Sequence, residues 1–525
     1  MKSFLKSNWI LLTILLAAFL FRFWQIHTLP GGLFPDEAAN GLDVNSILKG
    51  NLRPFFERGN GREALFFYFL AGAVALFGRG PWQHHIVSAG FGFFEVLATY
   101  FLVKRLFGKN TALLASFFMA VSSYAVEISR TAFRANTLPL FTILTLLFLV
   151  KFFQSQDRKT KFSSAILAGI FTALGFYTYI SFRMMIPFIL GFGIILFFSQ
   201  RHRIRELIAE YWKYKTAYVA AFIVTVFPIA YYFATHPGSF GGRTGQVSIF
   251  TTDLNHGDVL GTAVLVFKKT ILSFFTQGDL NWRHNVSGFP FLSPLLSPFF
   301  AVALIIFTIA AFRMLKQAWQ KNLQAETVYQ AMIAVLFWFM MIPELLTAEG
   351  IPHGLRLIGV IPAIFILPAW MFDKIWQKIN SYSLLQSIRI IFPAVLIFCV
   401  FFYNYYLYFG VSANSPEYYY AFRSDLTEVS NYLNARHQKN STYLSLDKFS
   451  VQTTDYLTTE TKQPYILLDP ASTWKVNLKK GDQVVFTQST LFDRLKFIQY
   501  HPAVKLIKTE QNQFKQPVML VFEEQ

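Results

Sequence analysis

Residues 63–78 read EALFFYFLAGAVALFG, an apolar run of 16 residues. A helix of this length measures ~24 Å, whereas the hydrocarbon core of a bilayer is ~30 Å thick. The run therefore predicts a helix that lies at a membrane interface without crossing it. This point decides the topology of the whole chain, because every later loop would change sides if the run crossed.

The composition requires a membrane. The chain of 525 residues is 54% hydrophobic and only 14% charged, with a mean hydropathy of +0.39. Soluble domains carry about a quarter charged residues, so a soluble protein is excluded. Besides residues 63–78, eleven apolar runs predict membrane crossings. They lie at about 9–25, 84–103, 110–126, 137–153, 162–180, 184–199, 216–234, 293–312, 328–346, 357–372 and 387–409.

The positive charges predict the orientation. The formal net charge is +18, and it is explained by basic clusters between the apolar runs rather than by nucleic acid binding. Cytoplasmic loops attract Lys and Arg, so the N-terminus and these clusters should face the cytoplasm of a bacterial plasma membrane. The clusters are Lys2/Lys6, Lys104/Arg105/Lys109, Lys151/Arg158/Lys159/Lys161, Arg201/Arg203/Arg205/Lys213/Lys215, Arg313/Lys316/Lys321 and Lys374/Lys378/Arg389.

The predicted crossings divide the chain into two domains. Residues 1–410 form a transmembrane domain, whose longest outward-facing segments are 26–83 and 235–292. Residues 411–525 change character, because their apolar runs become as short as strands and alternate with helical patterns. We predict a small extracytoplasmic α/β domain with strands at 442–446, 465–468, 483–487, 504–507 and 518–522. We expect this domain to help hold the acceptor.

An acidic motif, FPDEAAN at 34–40, follows the first predicted crossing and contains Asp36 and Glu37. Adjacent carboxylates at a membrane surface favour an acid–base or metal-binding role. They are equally typical of a helix start, where acidic residues are stabilised by the helix dipole. The residues alone leave both interpretations open.

Three arginines in loops predicted to face outward are candidates for binding an anion: Arg130, Arg134 and Arg356. Arg binds phosphate through two parallel hydrogen bonds, and exclusion of water strengthens such contacts. The alternative is that their charged ends merely reach the interface. No Walker A loop is present, so a lipid carrier with a phosphate head fits better than a cytosolic nucleotide.

Further polar side chains in these loops are typical of sites that bind a sugar or head group, although solvated loops look similar. We predict substrate binding by Arg62, Glu63, Asp279, Arg283, His284, Asn285 and His353.

In their order and spacing these motifs resemble the C-type membrane glycosyltransferases, which have the GT-C fold. The resemblance covers about 1–410. It rests on Pro35-Asp36-Glu37, Arg62-Glu63, the KRLFG stretch at 104–108 and Ser129-Arg130. The most similar groups look like protein O-mannosyltransferases, lipid A aminoarabinose transferases and bacterial lipopolysaccharide-core galacturonosyltransferases.

The resemblance implies a mainly α, polytopic GT-C protein with about 11 transmembrane helices. It also implies transfer of a sugar, with inversion, from a polyprenyl-phosphate carrier to a lipid, glycan or protein acceptor at the outer face. Asp36 matches the family's general base, and Glu37 would orient the site or touch the sugar. Arg356, Arg130 and Arg134 would stabilise the leaving phosphate.

One difference from the family's pattern leaves open whether the protein binds a metal ion. Several relatives carry an aspartate where this chain has Asn136, so no cofactor is certain and a divalent cation stays open. Two other functions also stay open: a transporter or flippase of lipid-linked sugars, and a non-catalytic membrane scaffold.

Overall fold

The computed structural model describes residues 2–241, 247–381, 386–436, 440–461 and 464–525. Side chains of residues 2–7, 60, 204, 207–208 and 386–390 are also outside the described set. The predicted cytoplasmic side chains Lys2, Lys6 and Arg389 therefore lie outside the described residues.

Helices make up most of the chain. The first ten are α1 (Lys2–Phe23), α2 (Pro35–Leu48), α3 (Leu65–Phe77), α4 (Pro81–Phe107), α5 (Lys109–Val121), α6 (Ser123–Arg130), α7 (Leu138–Gln154), α8 (Arg158–Gly175), α9 (Met185–Ser199) and α10 (Ile204–Thr235). The others are α11 (Pro237–Gly241), α12 (Thr252–Asn255), α13 (Val259–Leu272), α14 (Ser297–Trp319), α15 (Ala325–Leu345), α16 (Ile361–Asn380), α17 (Gln386–Tyr405), α18 (Pro416–Ala421), α19 (Ser424–Asn434), α20 (Val451–Leu457) and α21 (Arg494–Tyr500).

Eight helical segments in the described residues are long and apolar enough to cross a membrane, and a bent pair, α5 with α6, would make nine. The mainly helical, polytopic fold predicted from the sequence is thus confirmed. The count of eleven stays a prediction, since the runs at 9–25 and 162–180 form helices α1 and α8 that are not among these eight.

Helix α3 lies within the apolar run 63–78. It has 13 residues, so it measures ~20 Å and is too short for the ~30 Å core. The helix begins at Leu65, and the preceding Arg62 and Glu63 form β2, which pairs antiparallel with β1 (Phe55–Phe56). The shortness expected from the sequence is therefore present, but Arg62 and Glu63 lie before the helix.

The chain folds as two compact units. The first contains 1–24, 53–66 and 88–411, and the second contains 25–52, 67–87 and 412–525. The acidic motif at 34–40 thus shares a unit with the C-terminal residues. The predicted boundary at 410 stays a prediction.

The second unit contains a five-stranded mixed sheet in the order β4-β3-β5-β7-β6. Its strands are β3 (Thr442–Ser445), β4 (Ile466–Leu468), β5 (Gln483–Thr487), β6 (Val504–Gln511) and β7 (Pro517–Glu524). Successive side chains of a strand point to opposite faces. Accordingly, Val485 packs with Leu426 of α19, whereas Phe486 packs with Phe497 of α21. The predicted small α/β domain is confirmed in its strands.

The first unit contains a helix that breaks in mid-course. Helix α5 ends at Val121, α6 begins at Ser123, and their axes differ by 58°. The break frees carbonyl groups that Arg22 satisfies: its Nη1 donates to Ala120 O (2.8 Å) and its Nη2 to Met119 O (3.2 Å). Unpaired backbone groups are strongly unfavourable in a membrane, so the hydrogen bonds from Arg22 stabilise the break.

Arg22 is completely buried, and its charge interacts with that of buried Glu95. We expect Arg22→Met to lower the free energy of unfolding by roughly 3–5 kcal/mol, because it leaves a buried carboxyl group and two carbonyls without their partner. The measurement is thermal unfolding of the detergent-solubilised chain. The double variant Arg22→Met/Glu95→Leu should recover part of the loss, and the exposed Arg205→Met serves as control. Equal melting of Arg22→Met and Arg205→Met would contradict this role.

Candidate active site

The acidic pair of the 34–40 motif lies in the first turn of α2. Pro35 occupies the first helical position, where its fixed φ and missing N–H cost nothing. Glu37 is completely buried, and its Oε2 accepts a hydrogen bond from Phe34 N (2.9 Å). Its Oε1 lies 3.8 Å from His85 Nε2. Glu37 therefore caps the helix, while the neighbouring Asp36 is only half-buried.

Helix α2 is held by α20, within the second unit. Leu33 and Ala38 pack with the buried ring of Tyr456, and Thr453 Oγ1 donates to Leu33 O (3.0 Å). Gly41 is required at this contact, since a Cβ there would lie 2.4 Å from the Tyr456 ring. Residues far along the chain thus fix the position of Asp36. Helix α20 was not predicted from the sequence, because its seven residues have no pronounced apolar periodicity.

In the first unit, Arg134 pairs with the buried Glu63 (Nε to Oε2, 2.8 Å). Its guanidinium also lies 5.4 Å from the centre of the Tyr179 ring. The adjacent Arg62 is buried as well. Two predicted site residues that are 71 positions apart, Glu63 and Arg134, are thus brought into contact.

Arg130 has different surroundings. Its side chain is fully buried and donates to Phe21 O (3.0 Å) and Trp24 O (2.8 Å) at the end of α1. The guanidinium also lies over the Tyr408 ring. These contacts stabilise a helix end, and they leave phosphate binding by Arg130 as a prediction.

The loop 278–290 is built around the buried Asp279. Its Oδ2 accepts hydrogen bonds from His284 Nδ1 (2.9 Å) and from Gly354 N (2.8 Å) of a distant loop. Burial lowers the pKa of His284, so the imidazole is neutral at neutral pH. Asn285 is also buried and donates to Phe289 O. Arg283 lies beside the Phe133 ring.

The second loop, 346–357, completes this cluster. The His353 ring lies 4.4 Å from that of His284, centre to centre. The Arg356 guanidinium donates to Glu349 O (2.5 Å) and Glu349 Oε2 (3.1 Å). Buried Glu344, at the end of α15, accepts the backbone N–H of His353 (2.9 Å).

Sequence reasoning missed Glu344. The only signal was a carboxylate at the end of a predicted crossing, which is unusual without a function or a partner.

The structure brings together Asp279, His284, His353 and Arg356, and separately pairs Glu63 with Arg134. Asp36 and Glu37 belong to the other unit.

The architecture resembles those of two solved membrane proteins. It matches ArnT from Cupriavidus metallidurans, bound to undecaprenyl phosphate, with a TM-score of 0.58 and 11% identity over 98% of this chain and 97% of the other. It matches the oligosaccharyltransferase AglB from Archaeoglobus fulgidus, in complex with an inhibitory peptide and a dolichol-phosphate, with a TM-score of 0.52 and 12% identity. That match covers 99% of this chain and 75% of the other. Both likenesses concern the fold.

The sequence gives a second, independent match. Residues 64–232 match the family described as dolichyl-phosphate-mannose-protein mannosyltransferase. No curated protein sequence matches the chain. The two findings agree with the resemblance to C-type membrane glycosyltransferases that the motifs predicted: the fold is shared with ArnT and AglB, and residues 64–232 match a glycosyltransferase family. The fold is similar to that of ArnT, and the sequence of residues 64–232 is similar to the mannosyltransferase family.

The capping role of Glu37 is testable. Glu37→Gln keeps an oxygen that can accept the Phe34 N–H, whereas Glu37→Leu loses it and leaves that N–H unpaired. We expect Glu37→Leu to lower the free energy of unfolding by about 1–2 kcal/mol, and Glu37→Gln to cost less. Limited proteolysis within 25–52, together with thermal unfolding, would check this. Equal losses in the two variants would contradict the capping role, because both lack the charge and only Glu37→Gln keeps the acceptor.

Proposed function

We propose that the protein transfers a sugar, with inversion, from a polyprenyl-phosphate carrier to a lipid, glycan or protein acceptor at the outer face of a bacterial plasma membrane. The match of residues 64–232 and the similarity of fold to ArnT support the lipid-linked donor. They favour this activity over transport of lipid-linked sugars and over a non-catalytic scaffold. The basic clusters support eleven crossings, a cytoplasmic N-terminus and an outer C-terminus.

Asp36 is the general base in this proposal. The observation that carries the assignment is the contrast within one helical turn: Glu37 is buried as the cap, while Asp36 is only half-buried. A base must reach the acceptor hydroxyl to take its proton as the anomeric carbon is attacked. Glu37 then acts as a positioning residue that fixes the first turn.

The donor phosphate is bound by arginines of the first unit. As the bond to the sugar breaks, charge develops on the leaving phosphate, and positioned guanidinium groups stabilise that charge. Arg356 is the first candidate because its carboxylate partner, Glu349, is exposed and can release it. Arg134 is the second, and the contacts of Arg130 make it a supporting residue.

The remaining polar residues surround these arginines in the proposal. Arg62, Arg283, His284, Asn285 and His353 would orient the donor's sugar and head group. The second unit would hold the acceptor, because it carries both Asp36 and the C-terminal sheet.

The base assignment predicts the effect of one substitution. Asp36→Asn removes the proton acceptor while preserving the size of the side chain, so sugar transfer should fall by about 10²–10⁴-fold. Binding of the lipid donor should change little. Transfer of labelled sugar from membrane lipid by the purified protein would measure this, with the exposed Asp253→Asn as control. Unchanged turnover in Asp36→Asn would end the assignment.

The phosphate assignment predicts a graded response. Arg356→Lys keeps the charge but loses the paired hydrogen bonds, whereas Arg356→Gln loses both. We expect kcat/KM for the donor to fall moderately in the first and about 10²–10³-fold in the second. Steady-state kinetics with varied lipid donor would check the order, with the exposed Arg203→Gln as control. A loss confined to the KM of the acceptor would contradict the assignment.

A further inference from the structure

A group of three side chains in the first unit has the composition of a metal site: Asp279, His284 and His353. Each offers one donor atom, and these atoms all lie within 4.8 Å of one another. Asp279 and His284 are buried, and His353 is half-buried. We propose that this Asp–His–His group binds one divalent transition-metal ion of the zinc class.

The donor set favours that class of ion. Two imidazoles and one carboxylate are typical ligands of Zn²⁺, which binds nitrogen and oxygen at ~2.0–2.2 Å. Donors around one such ion lie ~3–4 Å apart, so small side-chain rotations bring all three within bonding distance. A Mg²⁺ or Ca²⁺ site would contain more oxygen donors.

The backbone around the group is already fixed. Gly354 N and Asn281 N donate to the two oxygens of Asp279 (2.8 Å each). Tyr124 Oη donates to Gly354 O (2.5 Å), and Glu344 holds the backbone of His353. Such outer contacts orient metal ligands and are part of a metal site's affinity.

The buried negative charge at this group also favours binding of a cation. The carboxylate of Asp279 is buried here, and among the described residues the Oε2 atom of the buried Glu344 side chain has no hydrogen-bond partner. Arg356 interacts with Glu344 electrostatically, but its hydrogen bonds go to Thr347 and Glu349. Buried negative charge is costly unless a positive charge compensates it, and a bound ion would supply that charge.

Three protein ligands leave a coordination position open, as in catalytic zinc sites. Arg356 interacts electrostatically with His284, so an ion there would add positive charge near the proposed phosphate site. This role rests on the proposed function, whereas metal binding is measured without any donor.

The experiment uses the full-length protein in detergent, stripped with EDTA and then loaded with Co²⁺ as the probe. We expect about one ion per chain by elemental analysis, with visible absorption bands of protein-bound cobalt. His353→Gln and Asp279→Asn should each weaken binding by at least about tenfold. The exposed His202→Gln should bind as the wild type does.

A variant with a replacement ligand distinguishes loss of a metal ligand from loss of binding through misfolding. His353→Cys should retain Co²⁺ and add a thiolate-to-cobalt charge-transfer band, which requires direct ligation. Absence of bound metal in the wild type, or full retention in His353→Gln, would overturn the site. Either result leaves the Asp36→Asn comparison of sugar transfer intact, so the two proposals fail separately.

Discussion

The break between α5 and α6 is the feature on which the first unit depends. A helix in a membrane can change direction only if the backbone groups freed at the break find new partners. Arg22 of α1 supplies donors for the carbonyls of Ala120 and Met119, and Asn404 of α17 accepts the N–H of Ser123 (2.8 Å). Side chains from both ends of the transmembrane region thus stabilise one bend.

The bend directs α6 toward the loops that carry the candidate site. Tyr124 Oη donates to Gly354 O in one loop, and Thr131 Oγ1, just after α6, donates to Arg283 O in the other. Arg130, at the last turn of α6, binds the carbonyls at the end of α1. The two hydroxyl contacts therefore attach the loop of Asp279 and the loop of His353 to the same short stretch of chain. The position of the proposed metal and phosphate sites depends on that attachment.

In the second unit, contacts with a distant part of the chain likewise fix the position of the acidic motif. Helix α2 has a favourable start of its own, with Pro35 and the capping Glu37. Its place is set by α20, whose Tyr456 and Thr453 contact Gly41 and Leu33. The residues after 411 therefore do more than form a separate sheet. They hold the turn that presents Asp36, which links the C-terminal sequence to the proposed chemistry.

The sequence alone determined the features that depend on local composition. The length of the 63–78 run predicted a helix too short to cross, and apolar runs of strand length located the strands from β3 to β7. The order of short motifs also indicated the resemblance to the GT-C glycosyltransferases. Only the tertiary structure decided which polar residues meet: that Glu37 caps a helix, that Arg130 binds carbonyls, and that Asp279 receives the N–H of Gly354. The physical reason is that hydropathy and periodicity are set by neighbouring residues. Hydrogen bonds between buried groups, by contrast, depend on where helix breaks and packed helices place residues that are distant in the chain.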